Sequence, residues 1–516
     1  MPNHSRTYNS IANSIYGIAA SLITVALNFV VRVVLVRQLG EEINGINSLF
    51  QNVIGMMALM EMGISSAMII HLYEPVKNSD KEVIAAIMGF YRKIYLYLAG
   101  AFAVLGVLVS LFLINRLVSS SISTDRVRFY FLLFSATFVI NYLTYYKRSI
   151  LFAEQKNRIS ISVTAACELV FRSLQIVLLL VWQSYPLFLF LLMLERLVSN
   201  GICNWYVDRH HPYLKDLHLA ISREKRQAIF RTVKPLMVNQ TATTLQGTAS
   251  SILISLLLGN VAIVGYFGVY LMVINVVRLL YSQLGGAFTS SFGSLAIENN
   301  HHHMEWTYRR TAFIFNWIAC ACGALFIACV DDLIFLFFGS NFVLDPLSVI
   351  IITASMLVTL INTPIISIQN AMGLHRYDAG ALVIQAVLAV LMGYVCGLFW
   401  GMSGILSGLL VPTVWISLFR KGIIISRVAF SMPWQRFLCF MLPSIFRIFV
   451  VTLLAFYSVR NLIPISPSFG SIFIKAVVAL VLSLVIPSLT SFWTPEYKAS
   501  MSLIKNIIGK ISNRKM

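Results

Sequence analysis

Seven ionisable side chains, Arg32, Glu61, Glu168, Arg172, Glu195, Arg196 and Arg278, stand inside long apolar runs of this chain. Holding a charge at bilayer depth costs roughly 2.5–3.5 kcal/mol even on lenient insertion scales, so such groups turn toward water or a partner. The arginines suit an anion: a guanidinium offers a planar fork of donors matched to phosphate and stays ionised at any working pH. The acids suit a proton or a cation, or they neutralise an arginine. Amides and hydroxyls accompany them. Ser14, Gly17, Ser21, Thr24, Asn28 and Arg32 follow at three- and four-residue steps, which places them on one helix face. Gln240, Thr243, Gly247 and Ser251 repeat that phase further along. Asn47, Glu61 and Ser65 share a face, as do Asn275, Arg278, Ser282 and Thr289.

Arg32 and Arg278 are therefore the expected anion ligands. Asn28, Asn47, Asn275, Gln240 and Thr243 are expected to hydrogen-bond the uncharged polar parts of a substrate. Glu61, Glu168, Arg172, Glu195 and Arg196 are the candidates for ion coupling. Glu168 and Arg172, four residues apart, are spaced for a salt bridge within one helix. Glu195 and Arg196 are adjacent and point about 100° apart, so at least one needs a partner elsewhere. Arg447 and Lys475 stand alone in the last two apolar runs, and Lys475 is near enough to a run's end to snorkel.

Other chemistries find little support. The seven cysteines lie in or beside apolar runs, with neither zinc nor redox spacing, and read as small packing residues. His301-His302-His303 has no acidic or cysteine companion and reads as a solvated loop. Asp331-Asp332 and Asp345 fall in one short connection with no basic partner in sequence, which is poor ground for a metal-dependent transferase. No catalytic residue, metal or cofactor is expected.

The elements that position these residues follow from composition. With 58% hydrophobic residues, 11% charged and a mean hydropathy of +0.80, the 516 residues are too apolar for a soluble fold. A bilayer-crossing helix takes about 20 apolar residues. Fourteen segments qualify: 11–36, 46–70, 94–114, 127–146, 159–182, 185–206, 236–258, 262–288, 311–330, 347–368, 379–399, 402–419, 438–459 and 471–492. The expectation is an all-α polytopic membrane protein with short connections and no folded extramembrane domain. Sorted by alternate sides, 28 of the 39 Lys and Arg fall on the side of both termini and five on the other. Cytoplasmic loops collect such residues, so both termini are expected in the cytoplasm. The net charge of +19 then reflects topology and attraction to anionic lipid, not a nucleic-acid partner. The first apolar run is too long for the core of a secretory signal, and no cleavage site follows it.

The chain also repeats itself. Ser149-Ile-Leu-Phe-Ala-Glu-Gln-Lys-Asn-Arg158 recurs as Ser367-Ile-Gln-Asn-Ala-Met-Gly-Leu-His-Arg376, and Leu39-Gly40 with Gly45 recurs as Leu258-Gly259 with Gly265. An even number of spans separates the copies, which makes the repeat parallel. Two pseudo-symmetric six-helix lobes are expected, 1–207 and 236–428, joined by a basic cytoplasmic linker, 208–235. Two further helices in 429–492 and a basic tail, 493–516, follow. Polar faces turned inward from both lobes would wall a hydrated cavity.

The opening stretch resembles the amino terminus of bacterial polysaccharide-export flippases of the multidrug/oligosaccharidyl-lipid/polysaccharide exporter superfamily. The residues that carry the resemblance are Asn9-Ser10-Ile11-Ala12-Asn13, Arg32 to Leu39-Gly40-Glu41, Gly45-Ile46-Asn47-Ser48-Leu49, Glu61-Met62-Gly63-Ile64 and Leu72-Tyr73. The resemblance implies two lobes rocking about a central cavity in the bacterial cytoplasmic membrane. It implies transfer of a polyprenyl-diphosphate-linked oligosaccharide from the inner to the outer leaflet, for O-antigen, capsule or another surface glycan. The implied partners are the lipid-linked substrate, membrane lipids, a glycan polymerase and glycosyltransferases. Fourteen spans are also similar to the lipid II flippases, whose last two helices form a groove for the polyprenyl tail. Of the cavity arginines of that branch, only Arg32 and Arg278 lie in comparable helices. A cation-coupled multidrug exporter is the alternative within the same superfamily.

Overall fold

The structure, a computed structural model, describes residues 6–61, 63–214, 221–298, 301–374, 379–462 and 466–502. Within the helices, the side-chain placement of 6–19, which includes Ser14 and Gly17, of Gln240 and Thr243, and of further residues in α9 and α10 lies outside what is described. Among the described residues there is no strand. The α-helices are α1 (Arg6–Met57), α2 (Ile64–Asn78), α3 (Lys81–Leu108), α4 (Ile114–Leu117), α5 (Thr124–Tyr145), α6 (Arg148–Ala153), α7 (Asn157–Trp182) and α8 (Tyr185–His210). They continue with α9 (Arg223–Leu258), α10 (Val261–Glu298), α11 (His301–Phe338), α12 (Pro346–Met372), α13 (Ala379–Thr413), α14 (Lys421–Val428), α15 (Trp434–Tyr457) and α16 (Phe469–Ser491).

Eleven helical stretches among the described residues are long and apolar enough to cross a membrane, not the fourteen counted from hydropathy. The difference arises at three places, the first two of them backbone breaks. Gly40 interrupts α1 with φ 85° and ψ 175°, a backbone region open essentially to glycine alone. Arg32 nevertheless bonds Ser48, which an unbroken helix would carry about 24 Å away, so the chain doubles back at Gly40. Trp400 and Gly401 break α13 in the same way. Gly404 packs on the carbonyl of Cys396, and Gly408 on Met392 and Gly393. Those pairs step apart symmetrically from the break, as in an antiparallel hairpin. The third place is α9, where the basic stretch and the apolar one run as a single 36-residue helix, and the described residues at its apolar end cover Gly247–Leu258. The second expected span is itself broken, by a 3-10 turn at Ala58–Met60 and by left-handed Gly63. His301–His303 open α11 instead of forming a loop, and His301 Nδ1 lies 2.8 Å from the carbonyl of Ala429.

Local chemistry accounts for many helix ends. Asp80, Ser222 and Asp345 cap the backbone amides of Val83, Lys225 and Ser348, and Ser468 with Ser471 forms a capping box. Large apolar side chains such as Phe112, Phe399, Phe446 and Phe473 are exposed, as lipid-facing helices require. Three exposed tryptophans sit at helix ends, Trp182 closing α7, Trp434 opening α15 and Trp493 just beyond α16, where an amphipathic ring suits the membrane interface.

Positive-φ residues fall at the spacing of the sequence repeat. Left-handed residues recur in pairs: Gly40 and Gly259 are 219 apart, Gln155 and Gly373 are 218 apart, and Gln183 and Gly401 are 218 apart. The pairs share the sign of φ, while ψ differs between Gly40 (175°) and Gly259 (18°) and between Gln183 (41°) and Gly401 (−133°). By packing, the chain divides into two compact units, Met1–Gly268 and Val269–Met516. In the first, α1 packs along α7 and α9, and α5 along α3 and α8. In the second, α11 packs against α12, α15 and α16.

Candidate functional site

In the first unit, Arg32 is the centre of a knot. Its Nε donates to Asn44 Oδ1 at 3.0 Å, Nη2 to Ser48 Oγ at 2.6 Å, and Nη1 to the carbonyl of Gly268 at 3.2 Å. A longer bond from Nη2, 3.4 Å, reaches the carbonyl of Gly265. Glycine is required on the facing helix. A Cβ at Gly268 would stand 2.6 Å from Arg32 Nη2, and one at Gly265 would stand 2.7 Å from Asn44 Nδ2. Arg32 therefore ties both arms of the α1 hairpin to the start of α10. Asn28, one turn before it on the same face, is half-buried. Asn47 is buried and accepts from the hydroxyl of Tyr185 at 3.1 Å.

The acids and arginines of α7 and α8 pair differently from the spacing expectation. Glu168 accepts from the hydroxyl of Thr24 on α1. Arg172 turns instead to α8, where its Nη2 is 3.6 Å from Glu195 Oε2, and its Nη1 donates to Gln175 Oε1 at 2.8 Å. Arg196 Nη1 lies 3.9 Å from the other oxygen of the same carboxylate. Glu195 is fully buried, so its negative charge is offset by two guanidinium groups with no hydrogen bond to either oxygen. An i,i+4 pair on an exposed helix is worth only a few tenths of a kcal/mol, and a buried carboxylate on the next helix outcompetes it. Glu61 sits apart from these, at the break before Gly63, and accepts from Tyr95 Oη at 2.9 Å.

In the second unit, Arg278 is sparsely engaged. It makes one long hydrogen bond, from Nη2 to Thr359 Oγ1 at 3.3 Å, and its buried Nε has no partner. Asn275, one turn earlier, is exposed. Gln240 and Thr243 lie outside the described residues. Arg32 and Arg278 belong to different units.

Three further clusters escaped the sequence. Lys475 does not snorkel: its Nζ is 2.6 Å from Asp332 Oδ2, both residues are buried, and Ser471 Oγ donates to the same oxygen at 2.8 Å. Asp331 and Asp332 lie within α11 and not in a connection, and the basic partner of Asp332 is 143 residues away in sequence. Asp331 beside it accepts from Tyr270 Oη at 2.7 Å. Arg148, assigned to a connection, is buried and donates to Thr164 at 2.8 Å, Ser199 at 2.7 Å and Ser160 at 3.3 Å. The 160/164 hydroxyl pair, one turn apart on α7, was its only local signal. Arg309 binds Glu496 at 2.6 Å and Glu305 at 3.4 Å, and Arg436 reaches Glu305 at 3.7 Å.

Helix order and broken spans of this kind define a class. A solved lipid II flippase, MurJ in an inward closed conformation, superposes with a TM-score of 0.66 at 14% identity, over 92% of this chain and 98% of that one. An inward-facing multidrug resistance transporter of the MATE family and MOP superfamily gives 0.65 at 15% identity, over 83% and 98%. A MOP superfamily transporter from Pyrococcus furiosus, described by its reversed pocket polarity, gives 0.51 at 12% identity, over 88% and 96%. At such identities the likeness is one of fold, the fold that those solved proteins share. Compared with curated protein sequences, the chain has no significant match. A family model described as polysaccharide biosynthesis protein matches residues 10–292. The chain belongs to that family.

Proposed function

We propose that the chain is a flippase that moves a polyprenyl-diphosphate-linked oligosaccharide across the bacterial cytoplasmic membrane by alternating access. The sugars and diphosphate of such a lipid cannot cross hydrocarbon unaided, because each stripped polar group costs roughly 2–7 kcal/mol. A hydrated chamber lined by hydroxyls, amides and arginine replaces the lost water while the tail stays in lipid. Both termini lie in the cytoplasm, and the movement runs from inner to outer leaflet. The protein transports and does not transform its cargo, which a polymerase and glycosyltransferases supply and consume.

The observation that carries this reading is the state of Arg278. An arginine within a membrane span, with one long hydrogen bond and an unpartnered Nε, has donors left for a phosphate. Asn275 and Thr359 stand ready for the adjoining sugar. Arg32 is spent on Asn44, Ser48 and two carbonyls, and reaches a diphosphate only by releasing some of them. Asn28, Asn47, Gln240 and Thr243 remain proposed sugar contacts. Glu61 and the Glu168, Arg172, Glu195, Arg196 group remain proposed sites of ion coupling. In a strain lacking the native gene, Arg278→Gln is expected to cut surface glycan at least about tenfold, one charge-assisted bond pair being worth roughly 1.5–3 kcal/mol. Membrane levels of the protein stay at wild type. Full surface glycan from that variant would refute the assignment.

A cation-coupled drug exporter is the second reading, favoured by the acids at positions 61 and 168, each held by a single hydroxyl. Drug susceptibility of the deletion strain separates the two.

A further inference from the structure

Three polar groups in the second unit converge on one recess and find no hydrogen-bond or ion-pair partner among the described residues. Asn316, Trp317 and Cys320 share a face of α11, and Ser444 and Arg447 share a face of α15. Pro487 of α16 closes the third side. The recess has an empty volume of about 250 Å³ including its open mouth, and its enclosed part has room for about one water-sized group. The indole N–H of Trp317 and the side-chain oxygen of Asn316 are buried there without a hydrogen bond. Arg447 makes neither an ion pair nor a hydrogen bond among the described residues.

Charge accounting shows what is missing. α15 and α16 contain no acidic residue. The acids of α11 are committed elsewhere, Glu305 to Arg309 and Arg436, Asp332 to Lys475 and Asp331 to Tyr270. Water alone would satisfy the indole and the amide, but a guanidinium within a membrane span calls for an opposing charge. Helical side chains lean toward the N-terminus, which aims Arg447 toward the end of α15 where Arg309 lies 5.1 Å over the ring of Phe440. Trp317 is seven residues beyond Arg310, about 10 Å along α11. The recess is thus within reach of a headgroup in the leaflet bordering that basic end. Exposed Leu442, Phe446 and Leu489 offer an apolar path for acyl or prenyl chains beside it.

We propose that this recess binds the phosphate of an anionic lipid. Arg447 and the Trp317 N–H donate to phosphate oxygens, one of which fills the enclosed niche, and the Asn316 oxygen accepts from a headgroup hydroxyl. Native mass spectrometry of the full chain in detergent tests it with dioleoylphosphatidylglycerol and, lacking phosphate, dioleoylglycerol. One phosphatidylglycerol per chain is expected to survive activation and dioleoylglycerol to be lost. Arg447→Gln should weaken retention about tenfold or more, and Trp317→Phe, which keeps the ring and removes the donor, by several-fold. Circular dichroism melting establishes that each variant is folded, and Trp317→Phe decides the matter should Arg447→Gln not fold. Wild-type retention by the folded variants, or equal retention of dioleoylglycerol, would overturn the proposal. Undecaprenyl diphosphate added as competitor identifies the source. One-for-one displacement assigns the phosphate to a transported lipid, and persistence assigns it to a resident bilayer lipid; either keeps it on Arg447.

Discussion

Single residues in this chain divide by how many of their hydrogen-bonding positions are filled. Arg32 has donors satisfied on all three nitrogens and acts as a strut, whereas Arg278 and Arg447 keep unfilled donors and suit ligands. Lys475 and Asp332 form a closed pair, and its energetics are distinctive. Removing one partner of a buried ion pair costs about 3–5 kcal/mol because it strands the other charge, while replacing both with apolar groups is often close to neutral. Asp332→Leu and Lys475→Met are each expected to lower thermal stability in detergent by about that amount, and the double variant to recover most of it. Additive losses in the double variant would show that the pair is not a coupled unit. Sequence placed these residues within or beside apolar runs but not their partners. Spacing within one helix is legible, as with Glu168 and Arg172, but it cannot weigh a carboxylate on another helix. Glu195 took Arg172, and Thr24 bonded Glu168, through packing that no local pattern encodes.

At the scale of elements, most apolar runs were legible because hydrocarbon demands about twenty apolar residues per crossing helix. Their ends were less so. Gly40 and Gly401 let two helices meet with almost no loop, so hydropathy separated what the backbone nearly joins. The basic stretch before the seventh apolar run read as a linker, because charge hides helicity that α9 carries through without interruption. Close helix contact in membranes rests on small residues, and here the positions differ sharply. A Cβ at Gly45 would collide with the carbonyl of Val261, and one at Gly404 with that of Cys396, and neither backbone can give way locally. At Gly286 a Cβ meets nothing within 4 Å. Gly45→Ala and Gly404→Ala are therefore expected to cost about 1–3 kcal/mol or more in thermal stability. Gly286→Ala should be neutral or gain up to about 1 kcal/mol of helix propensity. Equal behaviour of the three would contradict the close approach.

For the whole molecule, the expected repeat rests on two thin sequence matches, and positive-φ residues recur at the same offset. Gly40 with Gly259, Gln155 with Gly373, and Gln183 with Gly401 keep a positive φ at a nearly constant offset, although ψ differs widely in the first and last pairs. Function at this scale rests on the MOP fold, on membership of the polysaccharide biosynthesis family, and on arginines left open within the spans. The most direct test is transport by the purified protein in liposomes, using a fluorescent oligosaccharide on undecaprenyl diphosphate and a membrane-impermeant quencher. The flippase account predicts that wild type exposes label from the inner leaflet well above empty liposomes. It also predicts that Arg278→Gln, with an unchanged melting temperature, is at least about tenfold slower. Label movement equal to that of empty liposomes, or an Arg278→Gln rate equal to wild type, would contradict it.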